Sequence, residues 1–340
     1  MKRLYIIDMS GLVWHAMTSP ANCQRSYLKM PIGGIYEALQ EIARAYGDNG
    51  YVIAAFDSKT SIRKNKMSTY KGGRTPNRAV YAQLDFLYEQ LSAIGVTCLK
   101  MEGYEADDLI NWSVLAYRDS FDEITILSGD EDITHNVQQK VTYIPFVKGR
   151  AIVNSSNFVK AVHKGREIAF NTISAYKVFC GCNSDSIPAF KSEYNAEELY
   201  DAYVKVLRDN GFYDYDRTSS RIVLDFFIDN SGLFSDEQKE ELKERADVIF
   251  PLKAPDNFSI EIKKYLDVDK AYLAQLLSMC NNYRALKYCR LRREEVPESL
   301  KQIIKDYAYA LETGAYAVDN NLEVDPSYVV DSETIYMEDF

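Results

Sequence analysis

Acidic side chains recur at the ends of short apolar runs in this sequence of 340 residues. The runs are LYIID, VIAAFD, TCLKMEGYEADD, ITILSGDED and, further on, GCNSDSIP. They contribute eight acids: Asp8, Asp57, Glu105, Asp107, Asp108, Asp130, Asp132 and Asp185. Carboxylates within a few ångströms of one another raise each other's pKa values, so a cluster of this size needs a positive counter-charge. The series therefore predicts a site that binds divalent metal ions.

The donor types narrow the choice of metal and of reaction. Carboxylate oxygens suit Mg²⁺, with Mn²⁺ as a substitute, and no cluster of His or Cys accompanies the acids, which disfavours zinc. Two such ions about 4 Å apart activate water and stabilise the leaving oxygen of a phosphodiester. The acids therefore predict two bound Mg²⁺ ions and phosphodiester hydrolysis.

A basic segment, residues 58–79, lies between two of these runs. Its bases, with no acid among them, are Lys59, Arg63, Lys64, Lys66, Lys71, Arg74 and Arg78. The formal net charge of the chain is −10, so binding to a polyanion would depend on this local charge. Arg binds phosphate bidentately and Lys acts as a point charge, while Tyr70 could stack on a base. The segment predicts a loop that grips a nucleic acid; a solvated run of charges is the alternative.

Strand-like and helix-like patterns alternate over residues 1–146. Short apolar runs at 4–8, 51–57, 96–101, 123–129 and 141–146 predict strands, and helical spacing predicts helices over 35–46, 80–94 and 105–117. This order predicts an α/β fold, a central parallel sheet with helices on both faces. The carboxyl ends of such strands share one edge, where ligands bind. The acids are therefore expected to converge there.

The remainder of the sequence divides into a helical half and a tail. Residues 147–310 are predicted to be mainly helical, beginning with SNFVKAV at 156–162. Residues 311–340 hold eight acids and no base and predict an acidic tail. A basic run near the end of the helical half is either a DNA-binding surface or a solvated helix face; its members are Arg284, Lys287, Arg290, Arg292 and Arg293.

Several classes of protein are disfavoured. No run approaches ~20 consecutive apolar residues, so no membrane span is expected. Only Met1-Lys2-Arg3 precede the first predicted strand, which leaves little room for a signal peptide. The six cysteines have no regular spacing, which indicates reduced thiols. We expect a cytoplasmic monomer with a structural role for each His and with Trp112 in the core.

The motifs resemble those of the 5′-nuclease family, which has a PIN-like fold and includes flap endonucleases, the 5′-nuclease domains of bacterial DNA polymerases and phage 5′-exonucleases. The resemblance covers residues 4–190 in five motifs in the family's order: LYIIDMSGLVWHA, FDSKTSIRKNKMSTYKGGRTP, GYEADDLI, LSGDEDITHNV and FCGCNSDSIPAF. The most similar branch is the phage enzyme type named ribonuclease H, which removes RNA primers and flaps in the 5′→3′ direction.

The resemblance implies roles for these residues. Asp8, Asp57, Asp107 and Asp130 would hold the first metal, with Glu105 and Asp108 in or near its shell. Asp132 and Asp185 would hold the second, and Lys71 and Arg63 would contact the scissile phosphate. DNA contacts would come from Tyr70, Arg74, Lys66 and Lys64. The implied substrate is DNA with a 5′ flap, a 5′ end or an RNA primer, in the host cytoplasm if the protein is phage-encoded. Independently of the resemblance, the end of the tail, IYMEDF, could bind a sliding clamp or a single-strand-binding protein; a disordered tail is the alternative.

Two departures from the family pattern stand out. Cys182 replaces the first Asp of the Gly-Asp-x-x-Asp motif, and a thiol is a poor Mg²⁺ ligand, so the second metal is expected to bind more weakly. The segment AFKSEYNAEELY after Pro188 lacks the glycines of the family's helix–turn–helix. Alternatives are therefore a non-catalytic DNA-structure binder and a single-strand ribonuclease of related fold.

Overall fold

The computed structural model describes residues 1–286 except for short gaps at 20–21, 23–25, 28–29, 74–76, 147–151, 158–160, 164–165, 212–216 and 264–266. Arg74, most of the basic run near the end of the helical half and the predicted acidic tail lie outside the described residues. The predictions made for them stay predictions.

A parallel sheet forms the centre of the described part of the chain. Its five strands run in the order β5-β4-β1-β6-β7, and every neighbouring pair is parallel. The strands are β1 Arg3–Asp8, β4 Tyr51–Ala55, β5 Thr97–Leu99, β6 Glu123–Ser128 and β7 Val141–Pro145. Two small antiparallel hairpins lie outside this sheet: β2 Ser26–Tyr27 with β3 Met30–Pro31, and β8 Ala161–His163 with β9 Arg166–Ile168.

Helices account for most of the remaining described chain. They are α1 Met9–Thr18, α2 Gly33–Gly47, α3 Ile62–Lys66, α4 Arg78–Ala93, α5 Ala106–Tyr117, α6 Ile173–Cys180, α7 Ala196–Asp209, α8 Arg217–Asn230, α9 Asp236–Ile249 and α10 Lys270–Leu286. Short 3₁₀ turns occur at Glu131–Asn136, Phe170–Thr172 and Asn183–Asp185. None of the described helices is long and apolar enough to cross a membrane.

The two faces of the sheet bury separate apolar clusters. One cluster joins α1, α2 and α4 to α10, with Ile35, Leu87 and Leu276 fully buried. The other joins α5 to α6–α9 and includes Ile110, Phe179 and Leu242. Trp112 belongs to this second cluster, as predicted, and donates from Nε1 to the carbonyl of Leu252 at 2.8 Å. The sheet is therefore covered on both faces, and the predicted fold class is confirmed.

The predicted strands and helices of the first 146 residues agree with the structure to within a few residues. The prediction of helix over SNFVKAV is wrong where the structure describes it, because Ala161–His163 pairs with Arg166–Ile168 as a hairpin strand. Val162 in this strand is β-branched, a residue type that is enriched in strands. The predicted domain boundary at residue 146 stays a prediction, and the cluster that contains Phe179 and Leu242 also contains Leu4 and Ile124 of the sheet.

Candidate metal centre and nuclease site

Asp8 lies at the junction of the first strand and the first helix. Its side chain caps α1 by accepting from the backbone N–H of Gly11 at 2.7 Å, and it accepts from Ser128 Oγ, also at 2.7 Å. A Cβ at position 11 would lie 2.3 Å from Asp8 Oδ2, so this close approach requires glycine. Burial, followed by the charge of Asp57, raises the pKa of Asp8 to about 7. The carboxylate is held in place before any ligand binds.

Asp57 and Asp107 approach Asp8 from the neighbouring elements. Asp57 follows β4, and its Oδ1 accepts from the backbone N–H of Ala106 at 2.8 Å. Asp107 lies in the first turn of α5. Burial raises the pKa of both side chains, and the charges of Asp130 and Asp8 raise that of Asp107 further. The predicted convergence at one edge of the sheet therefore brings Asp8, Asp57, Asp107 and Asp130 within electrostatic reach of one another.

This group of carboxylates has a chemistry that fits a divalent cation. Asp130 is exposed after β6, and its Oδ1 accepts from the backbone N–H of Asp132 at 2.9 Å. Among the described residues, no Lys or Arg forms an ion pair with Asp8, Asp57, Asp107 or Asp130. Hard oxygen donors with no ionic partner of their own match what Mg²⁺ or Mn²⁺ requires.

Glu105, by contrast, already has cationic partners. Its carboxylate accepts from Lys71 Nζ at 2.7 Å, from the Tyr70 hydroxyl at 2.9 Å and from Ser61 Oγ at 3.0 Å. Burial alone would raise the pKa of Glu105, but the charges of Lys71 and Arg63 lower it to about 2. Lys71 has a left-handed φ of 52°, and its backbone N–H donates to the carbonyl of Asp185 at 2.8 Å. Lys71 is thereby fixed with its ammonium beside the acids.

Arg63 and Asp108 form a buried pair, which differs from both of their predicted roles. The guanidinium donates to both oxygens of Asp108 at 2.7 Å and to the carbonyls of Val248 and Phe250 at 2.7 and 3.3 Å. Asp108 also accepts from the backbone N–H of Leu252 and is fully buried. Neither group is presented to a phosphate or a metal in this arrangement. We therefore assign the pair a structural role.

The other predicted DNA-binding residues have different environments. Tyr70 is buried, with its hydroxyl on Glu105, so its ring offers no open face for stacking on a base. Lys66 pairs with Asp247 at 2.7 Å at the surface, and Lys64 is exposed. Arg74 lies outside the described residues. Of these four predictions, the geometry favours Lys64 and Lys66 as residues available to a polyanion and disfavours Tyr70.

A cleft of about 160 Å³ adjoins the acids on the side of the basic segment. Its lining includes Asp57, Lys71 and Glu105 together with Trp14 and Lys64. Two further lysines of the cleft, Lys59 and Lys100, both bind Asp85 at 2.9 Å. The cleft thus has both carboxylates and lysine side chains in its lining.

The residues predicted to hold a second metal form a separate group. Oxygen or sulfur atoms of Asp132, Cys182 and Asp185 lie within 4.8 Å of one another, a spacing at which the three residues could hold a metal ion. Burial, followed by the charge of Asp130, raises the pKa of Asp132 to about 7. Lys177, which the sequence did not single out, forms an ion pair with Asp132 Oδ1. A cation therefore already occupies this group.

Several other residues that act on the site escaped sequence reasoning. Ser128 binds Asp8, Ser10 accepts from the backbone N–H of Asp57 at 2.9 Å, and Ser61 binds Glu105. Ser10 and Ser128 each lie two residues from a predicted ligand, and that spacing is the signal that could have found them. Lys177 lies five residues before Cys182 on a helix with an apolar pattern, and nothing in its local sequence marks it.

Comparison with known proteins places this site in a family. Residues 3–163 match the family model of the 5′-3′ exonuclease N-terminal resolvase-like domain. This part of the chain is similar to the N-terminal domain of the 5′-3′ exonucleases. The predicted family is thereby confirmed for the exonuclease domain, and it is a family of nucleases. The site residues and the use of two metal ions stay predictions.

The curated relatives of the exonuclease domain are bacterial DNA polymerases. DNA polymerase I of Caldicellulosiruptor bescii is 28% identical over 211 residues, which cover 59% of this chain and 24% of the polymerase. The enzyme of Treponema pallidum is 34% identical over 146 residues (39% of this chain, 14% of the polymerase), and that of Bacillus subtilis is 33% identical over 144 (41% and 16%). The chain thus spans about a quarter of these relatives or less.

Two solved structures are similar over most of this chain at low sequence identity. The bacteriophage T5 D15 flap endonuclease, in a complex with DNA and metal ions, is 18% identical with a TM-score of 0.49 and covers 92% of this chain and 100% of its own. Human GEN1 in complex with Holliday junction DNA is 11% identical with a TM-score of 0.47, covering 94% of this chain and 75% of its own.

Proposed function

We propose that this chain is a divalent-metal-dependent 5′-nuclease that hydrolyses phosphodiesters of DNA carrying a 5′ flap, a 5′ end or an RNA primer. The observation that carries the proposal is the group formed by the buried Asp8 with Asp57 and Asp107: the pKa of each of these three carboxyls is raised, and none of them forms an ion pair with a Lys or Arg among the described residues. The similarity of residues 3–163 to the N-terminal domain of the 5′-3′ exonucleases supports the same activity.

The metal would be held by Asp8, Asp57, Asp107 and Asp130, with Glu105 close by. When bound, a divalent cation supplies Lewis-acid polarisation of a phosphoryl oxygen and activation of water. Mg²⁺ is the ion that this oxygen-only donor set favours, and Mn²⁺ is the expected substitute. Asp132 and Asp185 were predicted to hold a second ion. The ion pair between Lys177 and Asp132 puts a positive charge on one of these two carboxylates.

The protein's own groups would orient the metal-binding carboxylates and compensate the charge of the substrate. Gly11 and Ser128 fix the Asp8 carboxylate, and Ala106 fixes that of Asp57, so that little reorganisation is needed when the ion binds. Lys71, held on Glu105, would place its ammonium near a phosphate that gains negative charge in the transition state. The cleft lined by Lys64 and Trp14 would receive the adjoining strand.

The test is cleavage of a labelled 5′-flap duplex in Mg²⁺ or Mn²⁺ by the wild type and by Asp130→Asn. Asn keeps the turn-capping oxygen of Asp130 but removes a charged ligand, so we expect the rate to fall at least ~100-fold. Asp119→Asn, at an exposed acid 95% accessible at its side chain, is the matched control and should cleave at the wild-type rate.

Binding of the flap without product in either metal would overturn the proposal and favour a non-catalytic DNA-structure binder. Cleavage of unstructured RNA in preference to the flap would favour a single-strand ribonuclease instead. Comparing RNA-primed with all-DNA flaps of the same sequence in this assay also shows which of the two proposed substrates is preferred.

A further inference from the structure

We propose that the ammonium group of Lys177 takes the place of a second divalent cation in this chain, so that the site binds one such ion instead of two. The inference rests on the proposed function for its first metal position. It concerns the separate group formed by Asp132, Cys182 and Asp185.

The ammonium of Lys177 lies at the group of atoms that could bind a second metal. Lys177 is buried, and its Nζ forms an ion pair with Asp132 Oδ1, one of the atoms in the group that could bind a metal. Cys182 and Asp130 are further electrostatic neighbours of the same ammonium. A second divalent ion at this group would have to displace Lys177 from Asp132 or share the carboxylate with it at close range, where two cations repel.

The same group contains a thiol, Cys182, where the family pattern has a carboxylate. Cys182 Sγ donates a hydrogen bond to Asp185 Oδ2 at 3.3 Å, which requires the protonated, neutral thiol. The cysteine is 5% exposed and packs in a small apolar cluster with Tyr70, Ile187 and Val248. A neutral, soft sulfur adds neither charge nor a suitable donor for Mg²⁺. The group therefore has less negative charge to compensate, and one ammonium is a better match to it.

The fold holds the helix of Lys177 against the loop between Cys182 and Ile187. Helix α6 ends at Cys180, and Gly181 reverses the chain with a φ of 78°, where an added Cβ would lie 2.6 Å from the carbonyl of Ile187. Backbone hydrogen bonds between Cys182 and Ile187 at 2.8 and 2.9 Å close the loop that carries Asp185. Buried Arg245 donates to the carbonyls of Val178 and Pro188, which joins the helix to the chain after the loop.

The first metal position differs in this respect. Asp8, Asp57 and Asp107 have no Lys or Arg ion pair among the described residues. The ammonium of Lys71, whose charge acts on Asp57 and Asp107, is bound to Glu105 instead. Within the described residues, the same chain thus has one carboxylate group with no direct ion pair to an ammonium and one with such a pair. This difference between the two groups predicts one divalent ion per chain.

The experiment counts tightly bound Mn²⁺ on the full chain by electron paramagnetic resonance titration. We expect one ion for the wild type, none for Asp8→Asn, and two for the double variant Lys177→Gln/Cys182→Asp, which removes the ammonium and restores the carboxylate. Cys182→Asp alone should still bind one ion. Lys205→Gln/Cys182→Asp, with an exposed lysine replaced instead, is the matched control and should also bind one.

Two ions on the wild type would overturn the inference, and this result needs no variant to fold. One ion on a double variant that unfolds as cooperatively as the wild type would also overturn it, as would an ion that persists in Asp8→Asn. A wild type that binds one Mn²⁺ but cleaves no flap would contradict the proposed function and leave this inference standing. Cleavage of the flap by a wild type that binds two Mn²⁺ ions would support the proposed function and overturn this inference.

Discussion

Asp8 combines three constraints that compete at the level of a single residue. It caps a helix, it accepts from Ser128, and it is buried beside another acid. The first two favour the ionised carboxylate, while burial and the charge of Asp57 disfavour it more strongly, which is why its pKa rises to about 7. In the absence of metal this residue therefore binds a proton more tightly in the folded than in the unfolded chain.

The consequence is a pH dependence of stability with a defined sign. Between the unfolded pKa of about 4 and the folded pKa of about 7, the folded state holds the extra proton, so the contribution of Asp8 to stability is present at low pH and is lost as pH rises through that window. In EDTA, the free energy of unfolding of the wild type should fall more from pH 5 to pH 8 than that of Asp8→Asn. Urea titrations at the two pH values measure this difference.

Metal supplies the control for that prediction. Mn²⁺ added at pH 8 should raise the urea midpoint of the wild type, because it binds the folded state only, and should leave Asp8→Asn nearly unchanged. Equal pH slopes for the two proteins in EDTA would contradict the electrostatic account of Asp8.

At the scale of elements, the short helix α3 is held by the buried pair of Arg63 and Asp108. Because the guanidinium also binds carbonyls at the end of α9, the pair connects α3, α5 and α9. Removing one partner leaves a buried charge without compensation, which typically costs ~3–5 kcal/mol. We expect Asp108→Ala to lower the free energy of unfolding by about that amount in urea titrations.

The same helix provides the control. Lys66 pairs with Asp247 between α3 and α9, two of these three helices, but both side chains are substantially exposed, and such pairs contribute ~0–1 kcal/mol. Lys66→Ala should therefore be close to neutral. If Asp108→Ala were as mild as Lys66→Ala, the structural assignment of the buried pair would fail.

These elements show how far the sequence reaches. The convergence of Asp8, Asp57, Asp107 and Asp130 followed from strand ends alone, because a parallel sheet has one carboxyl edge. The role of Arg63 could not follow in that way. Its partners at Val248 and Phe250 come from a helix end far along the chain, and a run of seven bases gives no sign that one of them is buried. Lys177 was missed for the same reason, since its importance depends on the loop that Gly181 closes.

On the scale of the whole molecule, the described chain shares one core across residue 146. The apolar cluster of Leu4 and Ile124 continues into Phe179 and Leu242. Polar contacts cross the same boundary, including those from Trp112 and Asp108 to the backbone of Leu252. A catalytic unit that ended at residue 146 would expose this surface to water, at a cost of ~25 cal/mol for each Å² of apolar area.

We therefore expect a fragment of residues 1–146 to lack a cooperative unfolding transition and to bind a hydrophobic dye, whereas residues 1–286 should unfold cooperatively. Near-ultraviolet circular dichroism with thermal melting measures the first property and dye fluorescence the second. A fragment 1–146 that melts cooperatively and excludes the dye would show that the predicted domain boundary is a physical one.

The positions of the chain's two tryptophans give the molecule a built-in optical readout. Trp112 is packed between Tyr104 and Phe258 in the core, with ring centroids at 4.9 and 4.7 Å, whereas Trp14 lines the cleft beside Asp57 and Lys71. One emitter thus senses the integrity of the fold and the other senses what enters the cleft. Replacing Trp112 with Phe would leave Trp14, next to the carboxylates, as the single tryptophan of the chain, so that occupancy of the cleft could be followed by tryptophan emission without any label on the DNA.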